Sequence, residues 1–192
     1  MKLIIASNNQ HKVEEIRSVL PATLKLLSLK EAGIEIEIPE PYDTLQENAA
    51  EKARTIYALT GENCFGEDTG LEIYALQNEP GVKSARYAQN EPEFRNNIEK
   101  LLFKLKDETN RSGRFRTVIC LIVEGKEHFF EGICEGMILY QPKGEKGFGY
   151  DPIFQPDGAS ICFAEMDMEE KNLYSHRARA MGALVTFLKQ NI

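Results

Sequence analysis

The chain has 192 residues, a net charge of −7, 42% hydrophobic residues and 28% charged residues. This length suits one domain with a sizeable core, and the composition is typical of a soluble globular protein. The acidic balance argues against a broad nucleic-acid surface, which is normally basic, although a local cationic pocket with a metal can still hold phosphates.

The N-terminal apolar run is too short for a signal peptide or a membrane helix. The four cysteines are widely spaced, with no C-x-x-C pair: Cys64, Cys120, Cys134 and Cys162. Three of them lie in apolar runs, which predicts buried reduced thiols and a cytoplasmic protein without a disulfide framework or a cysteine metal site.

The chain begins with a pattern of strand, polar turn and helix. Residues 2–6 are predicted to form a buried strand, and the helical stripe after the turn is Val13, Ile16, Val19 and Leu20. The polar turn between them is Ser7-Asn8-Asn9-Gln10-His11-Lys12. Backbone N–H groups at a helix start, with an ammonium beside them, form an anion site. The simpler interpretation is an ordinary N-cap.

Two further strands are predicted at residues 24–29 and 34–38, before a proline-containing break at residues 39–43. Thr44 and Glu47 then have the spacing of a capping box, and Gly61 ends the helix that follows. The predicted apolar stripe of this helix is Leu45, Ala49, Ala53, Ile56 and Leu59, with Lys52 outside it.

An acidic pair, Glu67 and Asp68, follows the apolar run at residues 64–66. We predict a strand, a tight turn at Thr69 and Gly70, and a second strand over residues 71–76. Paired carboxylates at the rim of a sheet suit Mg²⁺. A plain surface turn is the alternative, since Asp, Thr and Gly are common turn residues.

The second half of the chain predicts one long helix over residues 90–106 and an antiparallel meander. The meander strands are predicted at residues 115–123, 128–134 and 136–140. A last helix is predicted to begin at Ser175 as its N-cap.

Two more polar segments can carry chemistry. The aromatic turn Phe148-Gly149-Tyr150-Asp151 is suited to a flat ligand, or its aromatics simply lie in the core. The cationic group Lys171, Ser175, His176 and Arg177 surrounds a helix start, where the dipole favours anions. A solvated helix face is the alternative.

The chain has no G-x-S-x-G elbow, Walker A sequence or G-x-G-x-x-G loop. It has two cationic helix starts, one acidic turn and one aromatic turn. Such a set meets the needs of nucleoside triphosphate hydrolysis, in which cations neutralise the phosphates and a carboxylate activates water.

Six ordered segments resemble the inosine/xanthosine triphosphate pyrophosphatase family (RdgB-like). They are SNNQHK (7–12), TLQENAAEKA (44–53), FGEDTGLEI (65–73), PGVKSARYA (80–88), GFGYDPIF (147–154) and EEKNLYSHRARA (169–180). The resemblance implies Mg²⁺-dependent hydrolysis of ITP, dITP and XTP to the monophosphate and pyrophosphate. It also implies an α/β fold with a long, mixed, twisted sheet flanked by helices. Residues 1–192 would form a single domain with two lobes, a central substrate cleft and a homodimeric assembly, without nucleic-acid or membrane partners.

The resemblance assigns roles residue by residue. Asp68 would be the general base and, with Glu40, a metal ligand, while Lys12 and Lys52 would contact the phosphates. The triphosphate would be bound by Ser7, Asn8, Asn9, Gln10, His11 and Lys12, with Thr69 at the substrate. The base and sugar would be bound by Phe148, Gly149, Tyr150 and Asp151, and the 6-oxo group by Lys171, His176 and Arg177.

Three positions depart from the common family pattern. His11 and Ala178 stand where relatives often have glycine, and Glu67 replaces the more usual aspartate before Asp68. His11 either contacts phosphate or points to solvent, and the ligand role of Glu67 is open. Two rival functions also remain: a Maf-like pyrophosphatase of other nucleotides, and a catalytically silent nucleotide-binding protein.

Overall fold

A computed structural model describes residues 1–191. Seven strands form one mixed sheet in the order β2-β1-β3-β5-β6-β7, with β4 paired to β3. The strands are β1 Lys2–Ile5, β2 Lys25–Leu27, β3 Cys64–Ile73, β4 Glu79–Gly81, β5 Ser112–Val123, β6 Lys126–Ile138 and β7 Phe154–Pro156. The helices are α1 Gln10–Val19, α2 Leu45–Thr60, α3 Asn97–Lys104, α4 Met168–Tyr174 and α5 His176–Asn191.

The sheet combines both strand directions. Strand β1 pairs in parallel with β2 and with β3. The pairs β3–β4 and β6–β7 are antiparallel. The predicted mixed α/β fold is therefore confirmed.

The chain divides into two compact units. Unit 1 comprises Met1–Asp68, Thr117–Gly132 and the helix that begins at His176, and unit 2 comprises Thr69–Arg116 and Ile133–Ser175. Each unit has its own buried apolar cluster. The unit 1 cluster includes Leu3, Ile5, Ile16, Phe65, Ile119 and Leu184, and the unit 2 cluster includes Leu71, Leu101, Phe115, Tyr150, Phe154 and Phe163. The predicted substrate cleft stays a prediction.

Helix α2 begins and ends where the sequence indicates. The Thr44 hydroxyl accepts a hydrogen bond from the Glu47 N–H at 3.1 Å and donates to the Glu47 carboxylate at 2.7 Å. Gly61 ends the helix in the left-handed region at φ 66°. Strand β3 lies very close to α2: a Cβ added to Gly66 of β3 would lie 2.1 Å from the Ala49 carbonyl oxygen of α2. Glycine at this position therefore allows α2 to pack directly on β3.

Several predicted elements differ in the structure. The tight turn at Thr69 and Gly70 is wrong, because β3 continues without interruption from Cys64 to Ile73. The strand predicted at residues 34–38 is also wrong: Ile34 is buried but Ile36 is exposed, so the Ile–Glu alternation does not follow a sheet face.

The long helix predicted over residues 90–106 is shorter. Helix α3 begins only at Asn97, because the Asn96 side chain accepts the Glu99 N–H as an N-cap and Asn90 has a left-handed φ of 69°. The two strands predicted at 128–134 and 136–140 are one strand, β6. Its turn from β5 uses Glu124 and Gly125, whose φ angles of 50° and 76° suit a two-residue hairpin.

The four cysteines are buried thiols, as predicted. Within residues 1–191, no helix combines the length and the apolar character that crossing a membrane requires.

Candidate active site

Strand β3 places the two acidic side chains on opposite faces. Successive residues of a strand point to opposite sides of a sheet, so Phe65 and Glu67 share one face and Gly66 and Asp68 the other. Phe65 belongs to the apolar cluster that includes residues of α1 and α5, whereas Gly66 meets α2. The acidic pair thus serves two separate groups of side chains.

We call the first of these the Asp68 group: Glu40, Asn48, Lys52 and Asp68. The Lys52 ammonium donates to Asp68 Oδ1 at 3.0 Å and to the Glu67 carbonyl oxygen at 3.0 Å, and it forms an ion pair with Glu40. Asn48 and Lys52 lie four residues apart on α2 and so occupy one helix face. Lys52 and Asp68 are both buried, although Lys52 was predicted to lie off the apolar stripe of α2.

The pKa values of this group reflect burial and opposite charge together. Burial raises the pKa of Asp68 above its ordinary value, and the nearby ammonium groups of Lys52 and Lys12 only partly offset this. Burial alone would lower the pKa of Lys52, but the Asp68 and Glu40 carboxylates outweigh it and raise that pKa. Lys52 therefore stays charged, while Asp68 is a more basic carboxylate than usual.

We call the second group the Glu67 group: Lys12, Glu15, Glu67 and Arg177. Lys12 Nζ donates to Glu67 Oε2 at 2.7 Å, and Arg177 donates to Glu67 Oε1 from Nε at 3.1 Å and from Nη2 at 2.9 Å. Arg177 Nη1 forms a further ion pair with Glu15. The carboxylates of Glu15 and Glu67 raise the pKa of Arg177 despite the opposing effect of burial.

The loop at residues 7–9 is held by its own side chains. Ser7 Oγ accepts the Asn9 N–H at 3.1 Å, Asn8 Oδ1 accepts the Lys30 N–H at 2.8 Å, and Asn9 Oδ1 accepts the Lys12 N–H at 3.2 Å. Asn9 is thus the N-cap of α1, as the simpler interpretation predicts. Residues 8–11 are exposed. An anion-binding role for the loop stays a prediction.

Unit 2 contains a third set, the Lys171 group: Phe148, Asp151 and Lys171. Asp151 Oδ2 accepts the Lys171 ammonium at 2.6 Å and the Phe148 N–H at 2.9 Å. Lys171 Nζ also lies 5.4 Å from the centre of the Phe148 ring, within the range of a cation–π contact. A Cβ on Gly147 would lie 2.1 Å from Asp151 Oδ2, so glycine is required for this turn.

The aromatic turn divides between core and surface. Tyr150 is buried in the unit 2 cluster, and its hydroxyl donates to the Ser84 carbonyl oxygen at 2.9 Å. Phe148 is half-buried and Gly149 is exposed. Phe148 is therefore the aromatic ring of this turn that a ligand can reach with least rearrangement.

The cationic residues at the start of α5 are not a solvated helix face. Lys171, Ser175, His176 and Arg177 are each at most 5% exposed. Helix α5 begins at His176, immediately after Ser175, as predicted. Thr69, the remaining predicted substrate contact, is half-buried in β3.

The sequence patterns did not single out two buried polar residues of these groups, Asn48 and Glu15. Asn48 is 2% exposed and Glu15 is 5% exposed. A signal existed for Asn48, because asparagine is unfavourable inside a helix and this one lies four residues from Lys52. Glu15 lies between the predicted core residues Val13 and Ile16, and no comparable sequence signal indicates that it is buried.

The Asp68 group has oxygen donors that fit a hard divalent cation. The Lys52 ammonium contacts the Glu40 and Asp68 carboxylates and the Glu67 carbonyl oxygen, so three oxygen donors lie around one point. Within residues 1–191, no three His, Cys, Asp or Glu side chains form a ready-made metal cluster. Mg²⁺ commonly binds through one or two carboxylates together with water and substrate phosphates, so the pair Glu40 and Asp68 meets its needs.

Known proteins match this chain along almost its whole length. The dITP/XTP pyrophosphatase of Flavobacterium psychrophilum is 47% identical and the match covers 98% of this chain and 100% of that protein. The dITP/XTP pyrophosphatase of Porphyromonas gingivalis is 48% identical, with 97% of each chain covered. The structure of the Staphylococcus aureus Ham1 protein superposes with a TM-score of 0.87 at 34% identity and covers 100% of both chains.

The family resemblance inferred from the six segments is thereby confirmed. The model of the Ham1 family matches residues 3–187, which includes every segment on which that resemblance depends. This chain belongs to the Ham1 family.

Proposed function

We propose that this protein is a nucleoside triphosphate pyrophosphatase that hydrolyses the deaminated purine nucleotides ITP, dITP and XTP to the monophosphate and pyrophosphate. Relatives with the name dITP/XTP pyrophosphatase match nearly the full chain at 47–48% identity. The observation that carries the proposal is the buried Asp68 group, in which a basic carboxylate is held against a charged ammonium and a second carboxylate.

Asp68 is the proposed general base. Its raised pKa makes the carboxylate a stronger proton acceptor than an exposed aspartate. It would accept a proton from the water whose oxygen bonds to the α-phosphorus, while the bond from that phosphorus to the bridging oxygen breaks and pyrophosphate leaves. Lys52, which remains charged, would hold Asp68 in place and approach the phosphates.

Mg²⁺ is the proposed cofactor, held by Asp68 and Glu40. When bound, it would supply neutralising charge for the phosphate oxygens. The convergence of the Glu40 and Asp68 carboxylates on the Lys52 ammonium supports this assignment. Glu67 is a less suitable ligand, because its two carboxylate oxygens already accept hydrogen bonds from Lys12 and Arg177.

The triphosphate is proposed to bind the loop at residues 7–12, with Lys12 as the charged contact and Thr69 also at the substrate. Lys12 uses one N–H on Glu67, and an ammonium has three to donate. The exposure of residues 8–11 supports contact with an incoming anion. His11 is part of this exposed run and is proposed to contact the phosphates.

The base and sugar are proposed to bind Phe148, Gly149, Tyr150 and Asp151, with Lys171, His176 and Arg177 as the polar recognition residues. Phe148 is the proposed stacking ring, and the Lys171–Asp151 pair supports a fixed donor for the 6-oxo group. A donor that pairs with a 6-oxo group is left unpaired against the amino group of adenine, so adenine nucleotides should be poor substrates.

A single domain of two lobes with a central substrate cleft, a homodimer and a cytoplasmic location also remain proposals. The resemblance to the family supports the domain organisation and the dimer, and the buried thiols support the location.

A panel of nucleoside triphosphates tests the proposed function. Pyrophosphate release from ITP, dITP and XTP should far exceed that from ATP, and EDTA should abolish it. Faster turnover of a pyrimidine or methylated nucleotide would favour a Maf-like activity. Binding of ITP without turnover at any Mg²⁺ concentration would favour a silent nucleotide-binding protein.

A further inference from the structure

Asn48 is a buried polar residue to which the proposed mechanism gives no role. It lies one helical turn before Lys52 on α2 and is 2% exposed. An asparagine side chain inside a helix normally competes with the backbone for hydrogen bonds and lowers helix stability. Here it faces away from its own helix backbone and bonds to two other parts of unit 1.

The first partner is the backbone of Tyr42. Asn48 Oδ1 accepts the Tyr42 N–H at 3.0 Å, and Asn48 Nδ2 donates to the Tyr42 carbonyl oxygen at 3.0 Å. Tyr42 lies two residues after Glu40 in a segment, residues 34–44, that precedes α2 and contains no helix or strand. The amide therefore anchors the segment that carries Glu40.

The second partner is Asp68. Asn48 Nδ2 lies 3.4 Å from Asp68 Oδ2, while Lys52 donates to Oδ1 at 3.0 Å. The 3.4 Å contact is longer than an ordinary hydrogen bond and so contributes less than the two bonds to Tyr42. Even so, one amide touches both the strand residue Asp68 and the loop that supplies Glu40.

We infer that Asn48 is a positioning residue that sets the placement of Glu40 relative to Asp68. This inference rests on the proposed function, in which these two carboxylates bind Mg²⁺. An amide suits the task because it donates and accepts at once, whereas aspartate cannot donate and alanine can do neither.

The anchoring is tested first in metal-free protein, by chymotryptic cleavage after Tyr42. The variant is Asn48→Ala, because alanine preserves helix propensity. Cleavage should accelerate, since both backbone bonds of Tyr42 are lost and the segment opens more often. The matched control is Asn63→Ala, which removes an asparagine bond to the Glu124 N–H, at 3.3 Å, in the same unit. This control should cleave like the wild type.

The positioning is tested by calorimetric titration of Mg²⁺ in the presence of a non-hydrolysable ITP analogue. Loss of a residue that orients a metal ligand typically costs about 10–100-fold in metal affinity or activity, and we expect a loss of this size for Asn48→Ala. In a Glu40→Gln background the same change should have little further effect, because residues that act through one another are non-additive.

Three results would overturn the inference: unchanged cleavage after Tyr42, unchanged Mg²⁺ affinity, or additivity with Glu40→Gln. If Asn48→Ala does not fold, Asn48→Leu is tested in the same way, since it keeps a similar side-chain volume, favours the helix and removes both the donor and the acceptor without adding a charge. Wild-type protein that binds the analogue but releases no pyrophosphate from ITP would instead overturn the proposed function, while the cleavage result would still report on the anchoring.

Discussion

Glu67 and Asp68 are neighbours in sequence, but their carboxylates have different hydrogen-bond partners. In the Glu67 group, the Glu67 carboxylate accepts hydrogen bonds from two cations, Lys12 and Arg177, and Arg177 also pairs with Glu15. In the Asp68 group, the Asp68 carboxylate accepts hydrogen bonds from one cation, Lys52, and from the neutral amide of Asn48. The alternation of a strand produces this separation, because consecutive side chains point to opposite faces.

This difference indicates that the two groups have different roles, one in stability and one in catalysis. When one partner of a buried ion pair is removed, the other charge stays buried without it, which is costly. A carboxylate that accepts from one cation and one neutral amide, as Asp68 does, is better able to accept a metal cation. We therefore expect substitutions in the Glu67 group to affect stability most and substitutions in the Asp68 group to affect catalysis most.

The largest effect is expected for Asp68→Asn. Removal of a general base typically lowers the rate about 10²–10⁴-fold, and we expect a loss in kcat for ITP at the upper end of this range. Stability should change little, because Lys52 keeps its ion pair with Glu40. Steady-state kinetics and urea denaturation measure both quantities. Unchanged turnover would remove Asp68 from the role of base.

Glu67→Gln should reverse this pattern. Lys12 and Arg177 would then lose the carboxylate that both contact, and we expect a loss of about 3–5 kcal/mol in the free energy of unfolding. The control is Glu127→Gln, which breaks a more exposed ion pair with Arg54 in the same unit and should cost at most about 1 kcal/mol. Equal losses in the two variants, measured by urea denaturation, would contradict the distinction between the groups.

Gly66→Ala tests the packing that brings α2 to the Asp68 group. The new Cβ would lie 2.1 Å from the Ala49 carbonyl oxygen, so the helix must move, at a cost of about 1–3 kcal/mol. Gly182→Ala in α5 is the control, since no atom lies within 4 Å of its new Cβ. A thermal melt should show a clear decrease for the first variant only. Full stability and activity in Gly66→Ala would mean that close contact between α2 and β3 is not required.

The smallest expected change is in the extent to which iodoacetamide labels the Cys64 thiol of the native protein. Burial raises the pKa of Cys64 to about 12, and its thiol donates to the Ala53 carbonyl oxygen at 3.3 Å on α2. Because the thiolate is the reactive form, a mildly alkaline buffer with iodoacetamide should leave Cys64 unmodified. Mass spectrometry of the peptides detects the label. Labelling in Gly66→Ala should be faster, because α2 would open from β3 more often.

Local patterns in the sequence predicted much of the framework. The strand and helix at residues 2–20, the Thr44 cap, the end of α2 at Gly61 and the start of α5 depend on caps and periodicity within a few residues. The turn predicted at Thr69 and Gly70 failed because turn residues are also accepted in a buried strand when the neighbouring strands and helices require it.

The sequence by itself determined the family, because six ordered segments identify it, and it singled out Asp68, Lys12, Lys52 and Lys171 as residues of interest. Only the tertiary structure decided which charges meet. Glu67 and Arg177 are 110 positions apart, and Asn48 and Asp68 are 20 apart, so no local pattern could pair them. The physical reason is that the partners of a buried charge are selected by the packing of helices α1, α2 and α5 on β3, which places a cation beside each carboxylate.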